Sequence, residues 1–444
     1  MQFGAAAEKY GWRLKNIQPE SEIAPPAFDS RKLNVGELFF ALKGALDGGK
    51  FALDAWRKGA QAVVVTPEWI NTLPSDAAAV IVDDTLKALT DLARLTRAAF
   101  TGNVLAVSGS CGKTGAKELF SYVLSQKYRV LKNPASFNNH IGLPCTLARL
   151  GNEYDIAVLE IGANHPGEIA DLCRIAAPTA GLITMIGNAH LEGFGDIRGV
   201  AKAKGELFRS LSGDKTAFVN FDDPNVIDQS AGLKNRIGYG FAFPPEGQQF
   251  RRIYQGISSE HGFAALDQEF EFHQPDFLKI HALAALAVAH YWGVEIDKIK
   301  HALKTCPALK GRMQRFEKDG IIFYDDTYNA NPTSVAAALN FIAGFKHRRK
   351  IAVLADMLEL GNAAIELHRR ILEAADKLGF AKVFTLGENY LKAGSKDNYT
   401  TPLQTAEKLK KLLRKGDIIL FKGSRLMKVE QVLDYFIPNR NTDN

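Results

Sequence analysis

Apolar residues follow two rhythms along this chain. Short β-branched runs, among them Val104–Val107, Tyr154–Ile161, Ala180–Ile186 and Lys350–Leu354, alternate with stretches where apolar positions recur every three or four residues, as in Leu86–Ala99 and Ala364–Leu378. A run of four to eight apolar residues suits a strand buried on both faces, and the longer repeat suits a helix lying over it. The alternation predicts an α/β fold with mostly parallel sheets. The rhythm breaks at Phe100-Thr101-Gly102 and again at Cys306-Pro307-Ala308, which divides the chain into three expected domains: 1–100, 101–308 and 309–444. In the third, strand Lys350–Leu354, helix Ala364–Leu378, strand Lys382–Leu386, helix Thr405–Leu413 and strand Asp417–Phe421 follow one another as a small doubly wound sheet, after a strand starting near Gly320. The segment Gly240–Phe272, richer in Gly, Gln and Phe, reads as antiparallel hairpins.

Composition narrows the class. With 46% hydrophobic and 23% charged residues, the chain is an ordinary globular protein rather than a disordered or fibrous one. Its longest apolar candidate, Ala282–Val288, stops between His281 and His290, well short of the roughly 20 residues that span a bilayer. The opening MQFGAAAEKYGWRLKNIQPE lacks the apolar centre of a secretion signal, so a cytoplasmic protein without a membrane span is expected. Cys111, Cys145, Cys173 and Cys306 form no CxxC pair, which argues against a zinc knuckle or a disulfide framework. The net charge of +6 is mild, and the basic stretches Lys346–Lys350 and Lys408–Lys415 carry no interleaved aromatics. They read as solvated faces, and no nucleic-acid partner is expected.

Chemistry enters with Gly109-Ser110-Cys111-Gly112-Lys113-Thr114, set between the strand Leu105–Val107 and a helix running through Leu124. Glycines let backbone N–H groups turn toward a phosphate, and a helix N-terminus adds positive potential. Lys113 supplies a cation for the outer phosphates and Thr114 a hydroxyl for magnesium. Val107 stands where the full phosphate-loop pattern has a further glycine, so only the shorter form is present. Two other buried runs end in polar groups: Tyr154–Ile161 carries Glu160, and Ala180–Ile186 leads through Gly187-Asn188-Ala189 to His190. Strand ends in a parallel sheet open onto the ligand crevice. Thr114, Glu160 and His190 are therefore candidate magnesium ligands, although a histidine in that position is equally a residue of the core.

Beyond this point the motifs resemble the Mur ligases over nearly the whole chain. Asp155–Gly167 (DIAVLEIGANHPG), Ile183–Asp196 (ITMIGNAHLEGFGD) and Val200–Phe208 (VAKAKGELF) are similar to the family's central domain. Asp29-Ser30-Arg31 with Gly36–Leu42 resembles its UDP-binding first domain, and Gly311–Gln314, Asp325–Pro332, Asp356–Gly361 and Lys422–Arg425 resemble its last domain. The resemblance implies an N-terminal UDP-binding α/β domain, a central P-loop ATPase domain and a C-terminal Rossmann-like domain. It also implies ATP and Mg²⁺ as cofactors. The activity it implies is ATP-dependent joining of D-alanyl-D-alanine to UDP-N-acetylmuramoyl-tripeptide through an acyl phosphate, a step of peptidoglycan synthesis, cell-wall growth and division, by a monomer.

The residue roles implied are specific. Gly109, Ser110, Cys111, Gly112, Lys113, Thr114, Arg312 and Asp326 would hold the nucleotide; Lys113, Lys204 and Arg312 would serve catalysis. Thr114, Glu160, His190 and a carbamylated Lys204 would hold metal. Ser30, Arg31, Asn138, Asn139, Asn329, Asn331, Ser424 and Arg425 would meet substrate. Several positions depart from the family pattern: Gly115 and Ala116 after the loop, Gly49 after Asp47-Gly48, and Phe277, Leu278 and His281 where polar residues near adenine are usual. Two other readings stay open. One is the family step that adds the third amino acid, although its Asp-Asn-Pro-Arg motif is missing from this chain. The other is a Mur-like binding protein without turnover.

Overall fold

The computed structural model describes residues 1–44, 46–135, 137–438 and 440. Four sheets follow one another along the chain. The first has five strands in the spatial order Arg13–Lys15, Ala79–Ile81, Ala62–Val65, Leu38–Phe40, Pro26–Ala27, parallel except for the antiparallel edge pair of Arg13–Lys15 with Ala79–Ile81. Helix Thr85–Ala99, whose Asp84 cap accepts from the Leu86 and Lys87 amides, leads out of it.

The central sheet has seven strands, all parallel, in the order Arg252–Gln255, Arg236–Gly240, Thr216–Asn220, Ala180–Ile183, Asn103–Ser108, Ile156–Glu160, Val130–Lys132. Its five inner strands are buried on both faces, which is why their sequences read as continuous apolar runs, while the edge strands Arg252–Gln255 and Val130–Lys132 are partly exposed. Helices Lys113–Leu124 and Lys279–Tyr291 cover one face, and Glu168–Ala176, Ile197–Lys204 and Glu206–Arg209 help cover the other. Helix Lys279–Tyr291 is apolar all round and buried from Ala282 to Ala289, as a helix enclosed by sheet and helices should be. It explains the apolar run at Ala282–Val288, and no helix among the described residues is long and apolar enough to cross a membrane.

The expectation for Gly240–Phe272 is corrected in its first half. Arg252–Gln255 adds to the central sheet as a parallel edge, because that places Tyr254 in the buried cluster of Tyr239 and Phe263. Only Ile257–Ser259, Gly262–Ala265 and Gln268–Glu271 form an antiparallel meander.

The last sheet has six strands: Gln314–Lys318 antiparallel to Ile321–Asp326, then Ile418–Lys422, Lys350–Ala355, Lys382–Leu386 and Asn398–Tyr399, all parallel. The edge strand Gln314–Lys318 is mostly solvent-facing, so it leaves no apolar run to find. The last-domain helix begins at Pro402 rather than Thr405, since Thr401 caps it by accepting from the Gln404 amide and proline suits the first helical position.

Candidate active site

Strand Asn103–Ser108 lies at the middle of the central sheet, with Val107 paired to Glu160 on one side and Ser108 to Ile183 on the other. Three neighbouring strands thus end together, delivering the 109–112 loop, Glu160 and the Thr184–His190 segment to one edge. This is the crevice where ligands bind in open parallel sheets. A cavity of about 1080 Å³ opens there, lined on its far side by Arg312, Asp326, Tyr328, Asn329, Asn331, Glu359 and Lys422 of the last sheet.

The loop is shaped by two glycines. Gly109 has φ +141°, and a Cβ there would meet the Thr184 hydroxyl at 2.1 Å. Gly112 has φ +80° and lies against the His281 imidazole, which a Cβ would meet at 2.4 Å. Only glycine meets both demands. Ser110 is expected to hold nucleotide, but its hydroxyl points inward, donating to the Gly187 carbonyl at 2.9 Å and accepting from the Gly187 amide at 3.0 Å. Its side chain therefore ties the loop to the neighbouring strand end. Thr184 donates to the Cys111 carbonyl at 2.5 Å. Lys113 folds back onto its own loop, its Nζ donating to the Gly109 carbonyl at 2.7 Å. Burial holds its amine below the usual lysine range, opposed by the Glu160 charge.

Glu160 is almost fully buried. Its Oε1 accepts from Asn138 Nδ2 at 2.7 Å and its backbone is clasped by Asn133, whereas Oε2 is buried with no hydrogen-bond partner. Burying an unpaired carboxylate oxygen is costly, so this atom fits a cation brought with the ligand. Thr114 and His190 line the same cavity. Among the described residues no three His, Cys, Asp or Glu side chains converge as a ready-made metal centre. Glu160, Thr114 and His190 are the oxygen and nitrogen donors this part of the cavity offers a cation.

Lys204 stands apart from that cavity. Its side chain is fully buried, with Nζ 3.2 Å from the Ala163 carbonyl and 5.1 Å from the centre of the Phe194 ring. Burial, with Lys113 nearby, pushes its pKa down to about 7. The neutral amine this creates is the form that adds carbon dioxide to give a carbamate. Ala163, which accepts from Lys204, does line the cavity.

On the far wall, the Arg312 guanidinium lies 4.2 Å from the centre of the Tyr328 ring. Asp326 pairs with Lys422 at 2.5 Å, and Lys422 also donates to the Asn329 carbonyl at 3.0 Å. Asn331 caps helix Pro332–Ala343 in a reciprocal capping box with Ser334 and reaches the Ser110 carbonyl at 3.3 Å, linking the last domain to the phosphate loop. Asn139 caps its own turn through the Ile141 and Gly142 amides. Phe277, Leu278 and His281 line the cavity with Leu119, Tyr122 and Leu309. Burial holds His281 near a pKa of about 4, so it is neutral there.

Four of the expected substrate residues lie outside the cavity. The exposed Arg31 side chain forks onto Asp29 at 2.9 Å, and the buried Ser30 gives its carbonyl to Lys58 at 3.1 Å. Ser424 Oγ accepts from the Leu358 amide at 2.9 Å, and Arg425 reaches Glu430 at 3.3 Å. Gly49, where the family favours histidine, leaves room for Trp69: a Cβ there would meet the indole at 2.3 Å.

The sequence gives no individual role to Lys117, Asn133, Lys422 or Glu359, although the last two lie inside the motifs Lys422–Arg425 and Asp356–Gly361. Lys117 is fully buried and donates to the Asn133 carbonyl at 2.6 Å, holding the segment that ends in Asn138. For Lys117 the signal in the sequence is a lysine inside an apolar helix face.

Two family profiles match the chain: the Mur ligase middle domain over residues 107–274, and the Mur ligase, glutamate ligase domain over residues 311–425. The UDP-N-acetylmuramoyl-tripeptide–D-alanyl-D-alanine ligase of Bacillus subtilis (strain 168) is 34% identical over 98% of this chain and 97% of its own length. The Escherichia coli (strain K12) protein of the same name is 35% identical over 91% of this chain and 92% of its own. Among solved structures, MurF from Acinetobacter baumannii superposes with a TM-score of 0.82 at 27% identity, covering 97% of each chain. The MurF ligase from Thermotoga maritima in complex with ADP gives 0.79 at 29% identity, over 93% of this chain and 97% of that one.

Proposed function

The chain belongs to the Mur ligase family, and from that premise we propose how its cleft joins D-alanyl-D-alanine to UDP-N-acetylmuramoyl-tripeptide in peptidoglycan synthesis. It is an ATP-dependent ligase that forms an amide bond. The observation that carries the mechanism is one cavity walled on one side by a phosphate loop and on the other by Arg312 and Asp326 of a separate sheet. A carboxylate and an ammonium ion do not condense in water, because both are unreactive ions and hydroxide leaves poorly. Transfer of the ATP γ-phosphoryl group to the tripeptide carboxylate gives an acyl phosphate, and attack by the dipeptide's free amine then expels phosphate.

Little covalent chemistry falls to the protein, which positions the groups and neutralises charge. Backbone amides of 109–112 cradle phosphate, while Lys113 and Arg312 approach the transferring group from opposite walls. Lys113 must leave the Gly109 carbonyl to do so. Asp326, on the last-domain wall, accepts from the ribose. Magnesium, held by Thr114, Glu160 and His190 with a carbamate on Lys204 for a second ion, would draw charge from the phosphate oxygens. Asn138 and Asn139, beside Glu160, with Asn329 and Asn331 opposite, face the muramoyl peptide. Ser30 and Arg31 belong to the domain that grips UDP, and Ser424 and Arg425 to the dipeptide side. Domains 1–100, 101–308 and 309–444 thereby take the nucleotide-sugar, the ATP and the closing wall that excludes water. The reading takes the protein as a cytoplasmic monomer.

Hydroxylamine tests the acyl phosphate. With ATP and the tripeptide substrate but no dipeptide, it is expected to trap a hydroxamate while ADP accumulates. ADP without hydroxamate would remove the intermediate from the scheme.

A further inference from the structure

Glu359 stands on the last domain yet reaches the central one. Its Oε2 lies 2.5 Å from His190 Nδ1, close but without hydrogen-bond alignment, and its carbonyl accepts from the Glu192 amide at 3.3 Å. Both residues that meet have left-handed backbones, φ +63° for Glu359 and +52° for His190. Side chains other than glycine rarely hold that conformation unless the surroundings impose it. Here the surroundings do so on both sides. The three residues before Glu359 are pinned: Asp356 accepts from the Asn389 and Tyr390 amides, Met357 donates to His368 Nε2 at 2.9 Å, and Leu358 donates to Ser424 Oγ at 2.9 Å. From the other side, Leu191, next to His190, packs into the last domain's core.

We propose that Glu359 is a positioning residue, which orients the His190 ring toward the metal side of the cleft only when the last domain is docked. A carboxylate on one ring nitrogen fixes the tautomer and aim of a histidine, leaving the other nitrogen for a cation. The buried, unpartnered Oε2 of Glu160 in the same cavity is the second, independent sign that a cation belongs there. Glu359 faces the cavity while its own pair sits at the domain joint, so it couples docking to metal binding. This inference rests on the proposed reading of Glu160 and His190 as metal-facing.

The test is calorimetric binding of the imido analogue of ATP to the full chain, with and without magnesium chloride. Wild type is expected to bind more tightly with magnesium, and Glu359→Ala to lose roughly 10- to 100-fold of that enhancement while its magnesium-free affinity stays unchanged. Glu359→Gly relieves the left-handed strain, so it should melt at or above the wild-type temperature and still lose the enhancement. Glu359→Gln, which keeps an acceptor oxygen, should retain part of it. Adding Glu359→Ala to His190→Ala should cost nothing further. Wild-type enhancement in Glu359→Ala, or equal losses with and without magnesium, would overturn the positioning role. No magnesium dependence in the wild type would instead overturn the metal-facing reading beneath it.

Discussion

The amino group of Lys204 is enclosed beside the Phe194 ring, and its pKa falls from 10.5 to about 7. Folding therefore disfavours its charged form. Above the unfolded value the residue is neutral in both states and burial costs little; the cost grows as pH falls from 10.5 and is complete below about 7. Each unit is about 1.4 kcal/mol, so the full cost is on the order of a few kcal/mol. In bicarbonate-free buffer, Lys204→Met should stabilise the fold at neutral pH by roughly that amount and far less near pH 10, as read by denaturant unfolding. An advantage independent of pH would mean the lysine stays charged inside. Cysteines offer a second check at this scale. Burial raises the thiols of Cys145, Cys173 and Cys306, the last two to about 11; Cys111 on the loop and Cys306 are both half-exposed and line the cavity. Iodoacetamide at pH 8 should label Cys111 first, and MgATP should block it; mapped peptides showing equal, slow labelling in both conditions would place that sulfur away from nucleotide. The sequence pointed to Lys113, Thr114 and Glu160 because each ends or follows a continuous local pattern. It left Glu359 unassigned because its partner His190 is distant in the chain and meets it only after two domains pack.

Helix Pro332–Ala343 shows what an element contributes to the site. Asn331 accepts from the Ser334 amide at 2.8 Å while its own amide group reaches across to Ser110. Asn331→Ser keeps the cap and loses the reach, so stability should hold while nucleotide affinity falls. Asn331→Ala loses both and should also cost about 1 kcal/mol; thermal melts and binding titrations on the pair separate the two roles. Most elements were legible for the same reason that they are stable. Strands such as Ile156–Glu160 are buried on both faces, and helices such as Ala364–Lys377 keep one apolar stripe, so burial itself writes the pattern. Elements that bury little were hidden. Gln314–Lys318 is an edge strand facing solvent, and Arg252–Gln255 buries only Tyr254 fully, so neither carries a run that marks its pairing.

At the scale of the molecule, the cavity belongs to two domains at once, and among the described residues none of 1–100 lines it. The first domain instead docks on the central one through Arg149, which reaches Glu37 at 2.8 Å and the Pro26 carbonyl at 2.7 Å. Ser30 and Arg31 are held within the first domain by Lys58 and Asp29, so their motif is legible in the sequence while their place relative to the cleft depends on how the domains pack. One measurement tests the central claim most directly: mass spectrometry of products after incubation with MgATP, UDP-N-acetylmuramoyl-tripeptide and D-alanyl-D-alanine. The account predicts a species whose mass is the two acceptors joined with loss of water, formed in step with ADP and phosphate, and absent when either acceptor is omitted. ATP hydrolysis without that species, or no reaction of the tripeptide while another acceptor is consumed, would contradict it.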